Sequence, residues 1–180
     1  IAGPERKSRI ISHREKEITA YHEAGHALVG HKLTHSDPVH KVSIVARGSM
    51  GGYTRFVPTE DRHMVTRDQF KAMLATALGG RVAEEMVFNE PTTGATNDLE
   101  RATQIARSMV TRYGMSEKLG PRTFGKMEEM VFLGREIHEQ RDYSEQVAQQ
   151  IDQEVHDIIQ EAQDTARETL ESNKAKLVQL

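Results

Sequence analysis

Two histidines and a glutamate near the N-terminus have the types and spacing of a metal-hydrolase site. Residues 20–28 read AYHEAGHAL and contain His22, Glu23 and His26 in a His-Glu-x-x-His pattern. On an α-helix, residues four apart lie one turn apart on the same face, so both imidazoles can bind one metal ion. Glu23 lies beside them and can act as a general base on a water molecule at that ion. The pattern predicts a zinc hydrolase, against the plainer alternative of a helix that carries two histidines by chance.

The composition limits both the metal chemistry and the class of protein. The 180 residues contain no cysteine, so disulfides and thiolate metal sites are excluded and zinc must be held by histidine and carboxylate. The net charge is −3, without the basic surplus of nucleic-acid-binding proteins, and we expect no nucleic-acid partner. No run of about twenty apolar residues is present, so the sequence predicts no membrane-spanning helix.

The pattern of elements predicts a mainly α domain with a small β-sheet. Residues 1–9 have the Gly, Pro and charge content of a linker from a preceding domain, and residues 10–180 are expected to form the metal-binding domain. The motif helix lies in a helical stretch from about residue 10, has Thr19 as a possible N-cap, and ends near Leu33.

The remaining elements follow from composition and hydrophobic spacing. Residues 39–45 and 53–57 have strand-like Val, Ile and aromatic content and predict a hairpin that lies on the helices. A helix is expected from Arg67, with a break at the glycine pair 79–80. Further helices are expected from Asn97, with a capping-box spacing to Glu100 and Leu99 facing the core, and from Tyr143, with a long amphipathic stripe.

A catalytic zinc site needs a third protein ligand, and two carboxylate positions are candidates. The other histidines are poor candidates; His31, for example, points away from the ligand face. Glu84 or Glu85 could supply the ligand from a downstream helix, although two adjacent glutamates cannot both face inward. Asp98 would be held rigidly at the start of its helix, where the simpler role of a carboxylate is to complement the helix dipole. The residue pattern favours Asp98 and leaves the glutamates open.

A second candidate feature is the glycine-rich segment 45–57. Its residues Gly51, Gly52, Tyr53 and Thr54 could offer a free strand edge to an extended peptide through main-chain hydrogen bonds. The alternative is a strand that is fully paired inside its own sheet.

Several long motifs of the chain resemble the FtsH family of ATP-dependent zinc metalloproteases. The similarity extends over nearly the whole chain and covers only the family's proteolytic domain. The segments that carry it include AYHEAGHALV, GGYT, GGRVAEEMVF and TTGATNDLERATQIARSMVTRYGMS.

The resemblance implies a site, a cofactor and a cellular setting. It implies that Asp98 joins His22 and His26 as the third ligand of one Zn²⁺ per chain, that Glu23 is the base, and that Glu84 and Glu85 have supporting roles. It implies unfolded or membrane polypeptides as substrates, a homo-oligomeric, hexameric ring, and a role in protein quality control. ATP and Mg²⁺ would bind an ATPase domain absent from these residues. Absent N-terminal segments would anchor the protein in the bacterial inner membrane, or its organellar equivalent, with this domain on the cytoplasmic side.

Two other functions are compatible with the residue pattern. One is a non-catalytic, zinc-stabilised oligomerisation module, and the other is a zinc hydrolase that acts on something other than peptides. Structural zinc sites usually have four protein ligands, and a scaffold has no need of Glu23. These points disfavour the oligomerisation module, and only the family resemblance favours an endopeptidase over another zinc hydrolase.

Overall fold

The computed structural model describes residues 12–45, 51–59, 63–127 and 139–180. The linker predicted at residues 1–9 and the start of the helical stretch near residue 10 lie outside these ranges. The described elements, in chain order, are α1 (His13–Lys32), β1 (Val39–Ser43), β2 (Tyr53–Phe56), α2 (Arg67–Phe88), α3 (Thr96–Thr111), β3 (Lys126–Met127), β4 (Glu139–Gln140), α4 (Glu145–Glu171) and α5 (Lys174–Gln179). The expectation of a mainly α domain with a small sheet is confirmed.

The motif helix α1 begins at a different cap from the one predicted. Ser12 is the N-cap and forms a capping box with Glu15, in which each side chain bonds the other residue's backbone N–H. The predicted cap, Thr19, lies inside the helix, where its hydroxyl donates to the Glu15 carbonyl at 2.8 Å. The prediction was wrong because the charged residues before Thr19 are good helix formers that extend the helix on its exposed side. The helix ends at Lys32 with Leu33 as its C-cap, in agreement with the predicted end near Leu33.

Helix α2 passes without a break through the glycine pair at which the sequence predicted an end. At this point α1 and α2 are in backbone contact. A Cβ atom on Gly25 would overlap the carbonyl group of Gly79, and a Cβ on Gly79 would lie 2.8 Å from the carbonyl oxygen of Gly25. The break prediction was wrong because this close packing outweighs the helix-propensity cost of about 1 kcal/mol per glycine.

Helices α1, α3 and α4 all pack against α2, and the core lies between α2 and these three helices. It is built mainly from aliphatic side chains, as the low aromatic content requires. Its most buried members include Val29, Leu74, Leu78, Val82, Ala106, Met109, Ala166 and Leu170. The amphipathic stripe predicted for α4 therefore faces the core, whereas Leu99, predicted to face inward, is 36% exposed. None of the helices in the described part of the chain combines the length and the apolar character needed to cross a bilayer.

The predicted hairpin is present as the antiparallel pair β1–β2, in which Val42 pairs with Thr54 and Ser43 with Tyr53. It lies on α1 near Gly30, where an added Cβ would overlap the ring of Phe56. The sequence did not predict the second, very short pair β3–β4.

Candidate metal centre and active site

Three side-chain atoms that could hold one metal ion converge between α1 and α3. The Nε2 atoms of His22 and His26 lie 3.0 Å apart. The Oδ2 atom of Asp98 is 3.2 Å from Nε2 of His22 and 3.4 Å from Nε2 of His26. Ligand bonds of 2.0–2.2 Å in tetrahedral geometry place ligand atoms about 3.3–3.6 Å apart. The three atoms lie 3.0–3.4 Å apart, so they can hold a single Zn²⁺ after separating by a few tenths of an ångström. In the described ranges no other group of three or more metal-ligating side chains converges in this way.

Each imidazole is oriented by a hydrogen bond from its other nitrogen. Nδ1 of His26 donates to the backbone carbonyl of Thr76 at 2.7 Å. A carbonyl oxygen can only accept, so Nδ1 carries the proton and the lone pair of the neutral ring lies on Nε2. Nδ1 of His22 likewise donates to Oε1 of Glu84 at 2.6 Å. In the neutral form of each ring, which metal binding requires, the lone pair on Nε2 is thus directed toward the centre, as in the usual carboxylate–histidine–metal arrangement.

The alternative ligands Glu84 and Glu85 lie outside the converging group. Glu84 is buried behind His22, and its second oxygen accepts from the backbone N–H of Thr92 at 2.6 Å. Glu85 points away from the site and forms ion pairs with Arg81 and Arg167. As expected for adjacent helical residues, only one of the two glutamates faces inward.

The cluster has an electrostatic field suited to a cation. Burial lowers the pKa of His22, but hydrogen bonds to Asp98 and Glu84 outweigh this effect and raise the pKa to about 9. Burial raises the pKa of Asp98, but hydrogen bonds to His22 and His26 outweigh it and lower the pKa well below the usual range. The two carboxylates therefore stay ionised, and at neutral pH the metal-free centre holds a proton on His22.

Asp98 is placed by a short turn that the sequence analysis did not foresee. Residues Thr93–Ala95 form a 3-10 turn, in which the Thr92 side chain accepts from the N–H of Gly94. Helix α3 then begins at Thr96 without a side-chain cap, so the capping box predicted from Asn97 is absent. The prediction was wrong because the preceding turn continues directly into the helix and leaves Asn97 inside it. Asp98 still lies in the first helical turn, as predicted.

A glycine on α2 allows the two imidazoles to lie against this helix. A Cβ atom on Gly80 would lie 2.6 Å from Cε1 of His22 and 2.6 Å from Nε2 of His26. In the sequence this glycine indicated a helix break, and its part in the site was not predicted. The Thr76 carbonyl was not predicted either, because a backbone acceptor has no signature in the residue types.

Glu23 and the predicted peptide-binding residues meet in one cavity of about 410 Å³. Glu23 is buried, and its Oε2 accepts a hydrogen bond of 2.6 Å from Oγ1 of Thr54. The lining residues come from α1, the hairpin, α2 and the start of α3. They include the candidate ligands His22, His26 and Asp98, the candidate base Glu23, and all four hairpin candidates, Gly51, Gly52, Tyr53 and Thr54.

The chain is similar to a defined group of known proteins over almost its whole length. A sequence model of peptidase family M41 matches residues 9–180. The chain is 64% identical over 177 residues to the ATP-dependent zinc metalloprotease FtsH 1 of Thermomicrobium roseum, and 63% identical to the protein of the same name in Sphaerobacter thermophilus. It is 57% identical over 180 residues to the ATP-dependent zinc metalloprotease FtsH of Rubrobacter xylanophilus.

These alignments cover 98–100% of the chain but only 27–28% of the relatives' length. The chain thus corresponds to one part of those larger proteins. The family match and the high identities agree with the converging His, His and Asp side chains. The chain belongs to peptidase family M41, as the proteolytic domain of an FtsH-type zinc metalloprotease.

Proposed function

We propose that this chain is the zinc endopeptidase domain of an ATP-dependent, membrane-anchored protease that degrades unfolded or membrane proteins. The observation that carries the proposal is the convergence of His22, His26 and Asp98 in the cavity that also contains Glu23. Three protein ligands leave a coordination position open, which is the mark of a catalytic rather than a structural zinc site.

The site residues have separate roles in the proposed peptide hydrolysis. His22, His26 and Asp98 hold Zn²⁺ through Nε2, Nε2 and Oδ2. Zinc, when bound, polarises the scissile carbonyl and lowers the pKa of water toward about 7. Glu23 takes a proton from the attacking water and delivers it to the leaving amine. The burial of Glu23 and of the imidazoles keeps these groups away from bulk solvent.

The hairpin supplies the surface for an extended peptide. Within the described ranges, β2 has a strand partner on one edge only, and its residues line the cavity beside the candidate ligands. Main-chain pairing with the segment Gly51, Gly52, Tyr53 and Thr54 holds a peptide in extended form with little sequence preference. A substrate bound in this way must be unfolded locally before it is cut.

The relatives support a proposal for the wider setting of this domain. Their names describe ATP-dependent zinc metalloproteases, and the chain spans about 27% of their length. In our proposal, ATP and Mg²⁺ act in a separate ATPase domain that unfolds the substrate. The assembly is a hexameric ring, anchored by segments outside these residues in the bacterial inner membrane or its organellar equivalent, with this domain on the cytoplasmic side.

The proposal is tested by two substitutions in the zinc-loaded chain. Glu23→Gln should keep one zinc per chain but reduce casein cleavage at least about 100-fold, because general-base catalysis contributes about 10²–10⁴. Asp98→Ala should lose bound zinc. Zinc content is measured by atomic spectroscopy and cleavage by release of labelled peptides.

A matched control is Glu17→Gln, which changes an exposed glutamate on the same helix and should leave both readings unchanged. Full zinc in Asp98→Ala would place the third ligand elsewhere. Wild-type cleavage by Glu23→Gln would refute the role of the base. Stoichiometric zinc without peptide cleavage by the wild-type chain would favour the non-catalytic oligomerisation module.

A further inference from the structure

The side chain of Thr54 contacts the general base directly. We propose that Thr54 is a positioning residue that holds one carboxylate oxygen of Glu23 and leaves the other for proton removal. This inference rests on the proposed endopeptidase function. It adds a side-chain role to a residue whose backbone is a candidate for binding the peptide.

The hydrogen-bond geometry identifies the Glu23 carboxylate as the group to which the Thr54 hydroxyl donates. Its Oγ1 lies 2.6 Å from Oε2 of Glu23 and 3.1 Å from the Glu23 carbonyl oxygen. A hydroxyl has one proton to donate, and the shorter contact is to the charged acceptor, at the distance of a charge-assisted O–H···O⁻ bond. In the described part of the chain, no other protein group hydrogen-bonds the Glu23 carboxylate. Among these residues Oε1 therefore has no protein hydrogen-bond donor, and we infer that it is the oxygen that faces the attacking water.

The strand that carries Thr54 lies close against Glu23. Gly52, two residues earlier, has so little space that an added Cβ would be 3.0 Å from Cγ of Glu23 and 2.9 Å from Cγ2 of Thr19. The nearest atom to that Cβ would be the carbonyl oxygen of Ser43 on β1, at 2.7 Å, so a larger residue at this position would disturb the hairpin as well as its contact with α1. The glycine thus lets the strand approach closely, and the Thr54 hydroxyl spans the remaining gap.

A single donor has a large effect here because Glu23 is buried. A carboxylate that is removed from water needs a hydrogen-bond partner to remain in one orientation. The Thr54 bond fixes the plane of the carboxylate. The position of Oε1 relative to the centre formed by His22, His26 and Asp98 therefore stays constant. Because the same residue belongs to the strand proposed to bind peptide, substrate position and base orientation depend on one element.

The test compares Thr54→Val, which keeps the shape and removes the donor, with Thr54→Ser, which keeps the donor. With the zinc-loaded chain and a short fluorogenic peptide, Thr54→Val should lower kcat about tenfold or more and change KM less than about twofold. Thr54→Ser should retain kcat within about threefold. Zinc stoichiometry should stay at one per chain in both variants. Thr54→Ala serves as a second donor-free variant if Thr54→Val does not fold.

The control is Thr103→Val, which removes an exposed hydroxyl that bonds only its own helix and should leave kcat unchanged. A wild-type kcat in a folded, zinc-loaded Thr54→Val or Thr54→Ala would overturn the inference, and so would a loss confined to KM. If the wild-type chain binds zinc but does not cleave the peptide, the proposed function itself fails, which is a separate outcome.

Discussion

At the scale of single residues, the groups that orient the ligands matter as much as the ligands. Glu84 is almost completely buried, and its two oxygens accept from His22 Nδ1 and from the N–H of Thr92. It thereby connects the imidazole on α1 to the turn that leads into α3 and Asp98. The hydrogen bonds to His22 and Thr92 lower the pKa of Glu84 against the opposing effect of burial, so it remains an acceptor.

We expect Glu84→Ala to weaken zinc binding by about 10–100-fold, because it leaves two buried donors without an acceptor and frees the His22 ring to rotate. Zinc affinity is measured by competition with a chromophoric chelator. The control is Glu85→Ala, which breaks ion pairs with Arg81 and Arg167 but contacts no candidate ligand. An unchanged zinc affinity in Glu84→Ala, or an equal loss in Glu85→Ala, would contradict the assigned role.

At the scale of elements, the crossing of α1 and α2 determines whether the site can form. Gly25 and Gly79 bring the two backbones into contact, and Gly80 leaves room for the imidazoles. The motif helix must lie this close for Thr76 and Glu84, both on α2, to reach the two histidines. The glycines therefore act through packing and not through chain flexibility.

The close contact at this crossing predicts whether Gly25→Ala raises or lowers the free energy of unfolding. By helix propensity alone, Gly25→Ala should stabilise the protein by about 1 kcal/mol. Because the new methyl group would overlap the Gly79 carbonyl, we expect a net loss of about 1–3 kcal/mol in the free energy of unfolding. Denaturant unfolding followed by circular dichroism measures this change.

The exposed substitution Gln149→Ala on α4 provides the control and should change stability by less than about 0.5 kcal/mol. An increase in the free energy of unfolding of Gly25→Ala would mean that the two helices separate readily. The close contact between them would then not determine the stability of the protein.

At the scale of the whole molecule, zinc binding, proton binding and folding are linked. The candidate ligands His22 and Asp98 are 76 residues apart in the sequence and meet only in the folded chain. The metal therefore binds the native state, and its binding free energy adds to stability. His22, with a pKa raised to about 9 in the metal-free protein, must lose its proton when zinc binds.

This linkage predicts the pH dependence of stability. The folded-state pKa of about 9 exceeds the unfolded value of 6.5, so His22 stabilises the metal-free protein below pH 6.5, and this contribution is lost as the pH rises through about 9. Zinc competes with the same proton, so its apparent affinity should rise about tenfold per pH unit below pH 9. Zinc should thus raise the thermal midpoint more at pH 8 than at pH 6.

Thermal unfolding is compared at equal free zinc and in excess chelator at both pH values. Asp98→Ala, which lacks a ligand, should show the same midpoint with and without chelator. A zinc-dependent shift that is equal at both pH values, or larger at pH 6, would contradict the linkage.

Some helix ends were predicted correctly from the sequence and others were not, and each outcome has a physical reason. The end of α1 near Leu33 and the start of α2 at Arg67 were predicted correctly, because turn residues and the helical spacing of apolar residues are local features of the sequence. The break at residues 79–80 was wrong because glycine is ambiguous in a sequence: the same residue permits a chain reversal or a close helix contact. Asn97 was wrongly assigned as a cap because the 3-10 turn before it depends on hydrogen bonds of Thr92 and Thr96.

The sequence by itself determined the family, the mainly α class and the pairing of His22 with His26, because four-residue spacing on a helix leaves one geometry. It favoured Asp98 without excluding Glu84, since spacing within one helix says nothing about distances between helices. Only the tertiary structure decided that Asp98 joins the two imidazoles while Glu84 lies behind His22. The tertiary structure also placed the Thr54 hydroxyl on Glu23. Both arrangements depend on how closely α1, α2, α3 and the hairpin pack.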